Sequence, residues 1–392
     1  MKMSYEQLKT YVSNVVTSAK LSINTFNETR DNTIGLLDKI GKIVVLDTDY
    51  ITDKLAVFDG EYLSFGKTIE EWSADLIAVE DYDATGANAL APHRSTYRPA
   101  FYSYTLGRKK IPQTIDYDDV ERAVHFMEQF VELIAMKYKR IEDSMAQYRY
   151  AVKREMIAKL YDLASDSDLG LSGASTHTWD VAESVAWATE VNANASNGLF
   201  ILDVDATNLV DSSYAGKYIV VRPIASSSTK KLTELVAEGF IVKLDLVTTI
   251  AKPVDTSTGE AFIEQVKKDV ELALDSNEGH SLNGNSLGAT NGLVLILKQG
   301  IMPNLDVKTF SGAFHEDKVA VPTEVIVVKD FGSANSKVYG LLIDRRGMRL
   351  HNTYNATREN LNGDGDFLNL FRHTEDTAYI SRNVFFKFYK EA

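Results

Sequence analysis

"DYDDVERAVHFMEQFVELIAMKYKRIEDSMAQYRYAVKREMIAKLYDLA", Asp116 to Ala164, decides how the rest of this chain must be arranged. It lies inside a run, Gln113 to Leu169, that holds no Gly and no Pro. Asp116, Asp118 and Asp119 crowd its start, where carboxylates favour a helix N-terminus. Apolar residues then recur every three or four positions: Val120, Ala123, Met127, Phe130, Ile134, Tyr138, Ile141, Met145, Tyr148, Val152, Met156 and Leu160. The spacing predicts one helix from Asp116 to about Ala164, roughly 70 Å long at about 1.5 Å per residue. That is more than twice the diameter of a small domain. A period near 3.5 allows a coiled coil. The mixture of aromatic, Met and Ala residues suits the other reading, a backbone helix over which sheets lie.

Immediately upstream, Gly60 to Pro112 is unlike a packed domain. It scatters Tyr62, Phe65, Trp72, Tyr82, Tyr97, Phe101, Tyr102 and Tyr104 among Gly, Pro and charges. Structureless loops of this length are uncommon unless functional or disordered, and the aromatic content argues against disorder. The segment reads as an extended arm or long two-stranded loop, against the blander reading of an irregular surface loop. One limb carries Glu70, Glu71, Glu80, Asp81 and Asp83; the other ends in Arg108, Lys109 and Lys110. Each cluster by itself is a solvated face, but opposite charges on two limbs let such an arm pair with copies of itself. Further upstream, Ser4 and Gln7 fit a capping box ahead of Leu8, Val12, Val15, Val16 and Ala19 at helical spacing. "KIVVLDTDYITDKLAVFDG" up to Gly60 reads as one or two strands.

Downstream the character changes. Ser165 to about Asp255 is rich in Ser, Thr, Asn and Gly, with β-like runs "GLFILDV", "GKYIVVRPI" and "EGFIVKLDLVTTI". It reads as a β-rich subdomain or insertion. Ser257 and Glu260 form a capping box, Phe262, Val266, Val270 and Leu274 follow at four-residue steps, and Gly279 marks a stop. Then come a buried strand at Leu293 to Leu297, a short helix near Asp306 to Phe314, and strands "TEVIVVKDF", "KVYGLLID" and "TAYISRNVFFKFY". This end of the chain is α/β.

The 392 residues are 44% hydrophobic and 25% charged, ordinary for a soluble, well-cored protein. The absence of Cys excludes disulfides, thiolate nucleophiles and Cys-based metal sites. No apolar run is long enough to span a bilayer and no secretory signal is visible, so a soluble product of the cytoplasm is expected. A net charge of −13 disfavours general nucleic-acid binding.

"NLNGDGDFLNLF", Asn360 to Phe371, offers the one metal-like pattern. With Gly365 at the sixth place of a calcium loop, Asn360, Asn362 and Asp364 fall on places one, three and five. The bidentate Glu of the twelfth place is replaced by Phe371. A polar turn between two strands, made by Asn-Gly and Asp-Gly, fits better. His315-Glu316 lacks a second His, and no phosphate loop, dinucleotide fingerprint or nucleophile elbow occurs. No catalytic residue, cofactor or metal is expected.

An arm, a long loop, a spine and two sheet-bearing regions cannot bury their surfaces alone; the pattern implies a subunit completed by its neighbours. The sequence here resembles the major capsid proteins of tailed bacteriophages, with the Hong Kong 97 type α+β fold, and among them those of small short-tailed phages of Gram-positive bacteria. The likeness rests on "GKTIEEW" at Gly66 to Trp72, "YDA" at Tyr82 to Ala84, Arg94, Pro99 and Tyr102, and "TIDYDD" at the head of the helix. It continues with "VIVVKDF" at Val325 to Phe331, "GLLIDRRG" and "FRHTEDTAYISRNVFF". It covers roughly residues 41–157 and 293 to the end, and is weak across 165–255.

The resemblance implies an N-terminal arm at 1–40, peripheral-domain strands at 41–59, an extended loop at 60–114 and a spine helix at 115–165. It implies a β-rich part at 166–256, an axial domain at 257–375 and a last strand, 376–392, returning to the peripheral domain. It implies self-assembly as hexamers and pentamers into an icosahedral shell around double-stranded DNA in the virion, without sequence-specific DNA binding, made in the host cytoplasm with a scaffolding protein and a portal. Inter-subunit contacts are expected at Glu70, Glu71, Trp72, Arg94, Arg98, Tyr102, Arg108, Lys109 and Lys110. Some relatives crosslink neighbours through a Lys–Asn isopeptide bond, which needs three residues converging from different subunits; the sequence shows no matching trio, and no crosslink is expected. A nanocompartment shell of the same fold, and a calcium-dependent or hydrolytic enzyme, are the alternatives.

Overall fold

A computed structural model describes residues 53–64, 66–74, 97–102, 104–116, 127–165, 175–179, 200–204, 212–220, 231–275, 277–281, 285–286, 292–305, 324–334, 336–363, 365 and 367–392. The expected N-terminal helix and the short helix near Asp306 lie outside these residues. In chain order the strands are β1 (Ile69–Ala74), β2 (Tyr97–Tyr102), β3 (Tyr104–Thr105), β4 (Lys109–Asp116), β5 (Ser175–Trp179), β6 (Phe200–Val204), β7 (Gly216–Val220), β8 (Ile241–Lys243) and β9 (Val247–Thr249). They continue as β10 (Asn277–Glu278), β11 (Asn285–Ser286), β12 (Leu293–Lys298), β13 (Glu324–Val328), β14 (Val338–Asp344), β15 (Met348–Asn362), β16 (Phe367–Ile380) and β17 (Phe386–Lys390). The helices used below are α1 (Met127–Ser165), α2 (Leu232–Ala237) and α3 (Thr256–Leu274).

Two compact units divide the chain. The first holds the described residues up to Gly66, Thr105–Glu155 and Leu350–Ala378; the second holds Lys67–Tyr104, Met156–Arg349 and Tyr379–Ala392.

In the first unit, α1 supplies Tyr138, Ile141 and Met145 to a core completed by Leu55, Phe58, Ile115, Leu350, Leu368 and Leu370. The 39 residues of α1 make a rod of about 58 Å. The helix begins later than the sequence suggests. Asp116 ends β4, because Ile115 pairs with Leu368 and is buried there, and a strand partner 253 positions away outweighs a local acidic start. The stretch before Gly60 also departs from expectation. Asp53 Oδ1 accepts from Leu55 N–H at 2.9 Å, and the chain turns into a short 3-10 helix, Ala56–Phe58, where a strand was expected.

Several inner polar groups of this unit are joined in one network. Lys153 is fully buried and reaches both Asp53, at 2.6 Å, and Asp59. Arg149 lies 3.7 Å from Asp59 and 3.8 Å from the buried Asp376. Asn352 Nδ2 donates to Thr374 Oγ1 and Asp376 Oδ1. Three segments far apart in sequence, the 3-10 turn, α1 and the β15–β16 hairpin, are thereby tied by charge as well as by apolar packing. One further pair, Arg372 and Glu142, stands at 3.8 Å. Burial lowers the Arg372 pKa and raises that of Glu142, each offset in part by its partner's charge.

The second unit is built on a five-stranded mixed sheet, β13-β12-β14-β17-β9. Both of its faces are covered, which is why β12 reads "LVLIL" without alternation. Phe262, Ile263, Val266, Val270 and Ala273 of α3 cover one face against Leu293, Leu295, Leu297, Tyr339 and Tyr389. On the other face the last turns of α1 bring Tyr161 edge-on to Phe388, ring centroids 5.2 Å apart. Among the described side chains, Tyr138, Ile141, Met145, Met156 and Leu160 of the α1 stripe are buried within the chain itself, which argues against the coiled-coil reading. The α3 cap sits earlier than expected: Asp255 accepts from Thr258 N–H at 2.8 Å and Thr258 Oγ1 returns the bond. Leu274, expected in the core, is half exposed, because a 3.6-residue period carries the stripe to Ala273 instead.

"EGFIVKLDLVTTI" does not make one strand. It is shared between β8, in a four-stranded sheet β5-β6-β7-β8, and β9, in the five-stranded one. The joint is pinned by Asp245, whose Oδ2 lies 2.7 Å from Lys387 Nζ and 3.5 Å from His280 Nε2. Lys387 also reaches the buried Asp269 at 3.0 Å, which accepts from Tyr389 O–H at 2.8 Å. Gly279 is not a helix stop. It takes φ +88° where a Cβ would stand 2.2 Å from the Lys243 carbonyl oxygen.

The β15–β16 hairpin, up to Ala378, belongs to the first unit, whereas β17 pairs with β14 and β9 in the second.

Candidate inter-subunit surface

β1 and β2 form an antiparallel ribbon in register Ile69↔Tyr102 through Ala74↔Tyr97. Among the described residues it is joined by no third strand. Side chains alternate along a strand, so Glu70 and Trp72 share one face and Glu71 takes the other. Glu70 is exposed and Trp72 is 65% exposed. Glu71 is engaged at home: Ser381 Oγ donates to its Oε1. Arg98 and Tyr102 stand opposite Ser73 and Ile69 in the register. Arg94 lies outside the described residues.

The basic limb belongs to the first unit and β1 to the second. β4 pairs with β16, Lys110 opposite His373 and Pro112 opposite Phe371. Lys137 Nζ donates to the Thr114 carbonyl at 3.3 Å, so that carbonyl points away from β16. Pro112, two residues earlier, points the same way, and its missing N–H costs the ladder nothing. Arg108 is committed within the chain: its Nε lies 3.4 Å from Glu375 Oε2 and its guanidinium stacks 4.1 Å from the Tyr354 ring centroid. Lys109 and Lys110 are exposed, and Lys110 lies 5.5 Å over Phe371.

The Asn360 to Phe371 turn links β15 and β16 as a hairpin. Asn362 Oδ1, placed third in the calcium alignment, accepts instead from Gly365 N–H at 3.2 Å. Among the described residues no group of three His, Cys, Asp or Glu is arranged to hold a metal. None of their helices is long and apolar enough to cross a membrane.

A two-stranded ribbon with a bare indole points to assembly. Comparison with known proteins gives the class. The family model described as Phi29-like phage major capsid protein matches residues 3–212 and 243–386. The chain belongs to that family. The capsid of Staphylococcus phage Andhra is similar in fold, with a TM-score of 0.51, 9% identity, and coverage of 86% of this chain and 83% of that one. A capsid chain of cyanophage P-SCSP1u, at 9% identity, gives a TM-score of 0.44 over 86% of each chain. One from Mycobacterium phage Che8, at 8%, gives 0.42 over 83% and 85%. No curated protein matches.

This is therefore a shell-forming structural protein of a phage virion, with the Hong Kong 97 type fold. The family match skips 213–242, which is where this capsid protein places β7, α2 and β8. There β7 pairs with both β6 and β8, and Leu244 N–H donates to the Lys217 carbonyl at 2.7 Å. Sequence reading missed the two buried charge networks, because their charged partners come from separate elements and obey no spacing rule.

Proposed function

We propose that the protein is the major capsid protein of a short-tailed phage of a Gram-positive host. Hexamers and pentamers of it close an icosahedral shell around double-stranded DNA. Assembly runs in the host cytoplasm, with a scaffolding protein and a portal, and no enzymatic step belongs to the chain. The Staphylococcus host of one structural relative supports the host assignment.

The observation that carries the reading, beyond family membership, is the β1–β2 ribbon. A two-stranded ribbon is marginal in water by itself, and this one holds out Trp72. A surface of this kind is completed by another copy. Trp72→Ala tests it. Subunits should fold with an unchanged melting temperature, while closed shells seen by negative-stain microscopy should fall sharply. Normal yields of shells from Trp72→Ala would refute the role of the ribbon.

A further inference from the structure

β15 ends at Asn362 and β16 begins at Phe367, so Gly363 is the first residue of the link between them. Asn362 is half-buried, and Gly363 and Gly365 are exposed. A Cβ built at Gly363 would meet nothing within 4 Å, so no neighbour crowds this peptide unit. At Gly365 the same Cβ would strike the Phe367 ring, which packs against that glycine. Gly365 N–H is thereby held toward Asn362 Oδ1, 3.2 Å away. The side-chain amide of Asn362 is polarised at its carbonyl oxygen, beside an unhindered main-chain nitrogen one residue on. Three other Asn-Gly pairs begin at Asn197, Asn283 and Asn291, and those asparagines lie outside the described residues.

We propose that Asn362 is a self-modification site, at which the folded subunit converts the amide to a carboxylate through a cyclic imide. The Gly363 nitrogen gives up its proton to solvent base and attacks Asn362 Cγ. A bond forms from that nitrogen to Cγ, and Oδ1 takes up the negative charge, facing the Gly365 N–H as an oxyanion faces a backbone donor. The intermediate then collapses: the Cγ–Nδ2 bond breaks, and Nδ2 takes a proton from solvent and leaves as ammonia. The reacting atoms belong to adjacent residues, so the step is intramolecular and needs no cofactor. Glycine favours it, because a Cβ would shield the nitrogen and restrict the backbone rotation that brings it to Cγ. Water then opens the ring. Addition at Cγ leaves an ordinary aspartate. Addition at the main-chain carbonyl carbon breaks its bond to the Gly363 nitrogen and leaves an isoaspartate, whose main chain runs through Cβ and Cγ. Either way the hairpin end gains one negative charge per subunit, next to Asp364 and Asp366 in sequence. The reaction uses only water and mild base, and it is independent of the shell reading.

Peptide mapping tests this on the full chain, kept folded in mildly alkaline water enriched in heavy oxygen. Trypsin releases Glu359 to Arg372, in which Asn360 and Asn369, each followed by Leu, serve as internal controls. Digestion in ordinary water leaves any later conversion unlabelled. The expected result is loss of ammonia and gain of one heavy oxygen at position 362, divided between an aspartate and an isoaspartate form, with Asn360 and Asn369 unchanged. Gly363→Ala should slow the conversion several-fold without lowering the melting temperature, since its Cβ has room. Conversion only after unfolding in urea, or equal rates in wild type and Gly363→Ala, would overturn the proposal. Labelling of all three asparagines alike would do the same.

Discussion

Lys153 Nζ, fully buried in α1, lies 2.6 Å from Asp53 Oδ2, a partner one hundred residues earlier in the chain. A buried ammonium is tolerated only where carboxylates surround it, and Asp59 supplies the second.

Removing that ammonium should be expensive. In Lys153→Met the apolar stem is kept, but Asp53 loses its cation and Asp59 keeps only Arg149, at 3.7 Å. The expected loss is about 3–5 kcal/mol of unfolding free energy. Urea unfolding of the isolated subunit measures it, and a change within about 0.5 kcal/mol would show that the network is ornamental.

Tyr389→Phe removes the hydroxyl that Asp269 accepts at 2.8 Å and leaves the ring in its T-shaped contact with Phe262. Lys387 and Gln265 still reach Asp269 Oδ1. The expected cost is therefore the ordinary price of an unmet buried acceptor, about 1–3 kcal/mol. Thermal unfolding of wild type and variant side by side decides the matter.

The acid limb of stability should carry the mark of Asp245. Burial by itself would raise its pKa, but the hydrogen bond from His280 and the charge of Lys387 override this and hold it at about 2, against an ordinary 3.8. The folded value lies below the unfolded one. Its contribution is thus complete above the ordinary value and is lost as pH falls from there through about 2. Asp245 is about half exposed, so solvent screens part of the effect. Asp245→Asn should be less stable than wild type at neutral pH and should lose less on acidification. Parallel curves of melting temperature against pH for the two proteins would contradict this.

Gly279→Ala should destabilise the joint between the four-stranded and five-stranded sheets. The position combines φ +88° with a Cβ site 2.2 Å from the Lys243 carbonyl oxygen. Backbone strain of this kind costs about 1–3 kcal/mol before the clash is counted. Hydrogen exchange should show faster opening of β8 and β9 in the variant, with α1 unaffected; unchanged exchange at β8 and β9 would be the opposite result.

The features legible in sequence were the local ones. The apolar steps of α1, the unbroken "LVLIL" of β12 and the Asn-Gly/Asp-Gly turn of the β15–β16 hairpin each follow from spacing or turn chemistry within a dozen residues. The exposed Glu70 and Trp72 were also within reach, since alternation puts them on one face. What failed was non-local. Asp116 looked like a helix start because its strand partner Phe367 lies on β16. Arg108 looked available to a neighbour because its partner Glu375 is 267 residues away.

The central claim is that this chain closes a shell in which each subunit's ribbon rests on another subunit. Cryo-electron microscopy of particles assembled from the full chain with its phage assembly partners tests both parts at once. The account predicts an icosahedral shell in which Trp72 of every subunit is buried against an adjacent one. Particles without closed shells, or a shell in which Trp72 faces solvent, would contradict it.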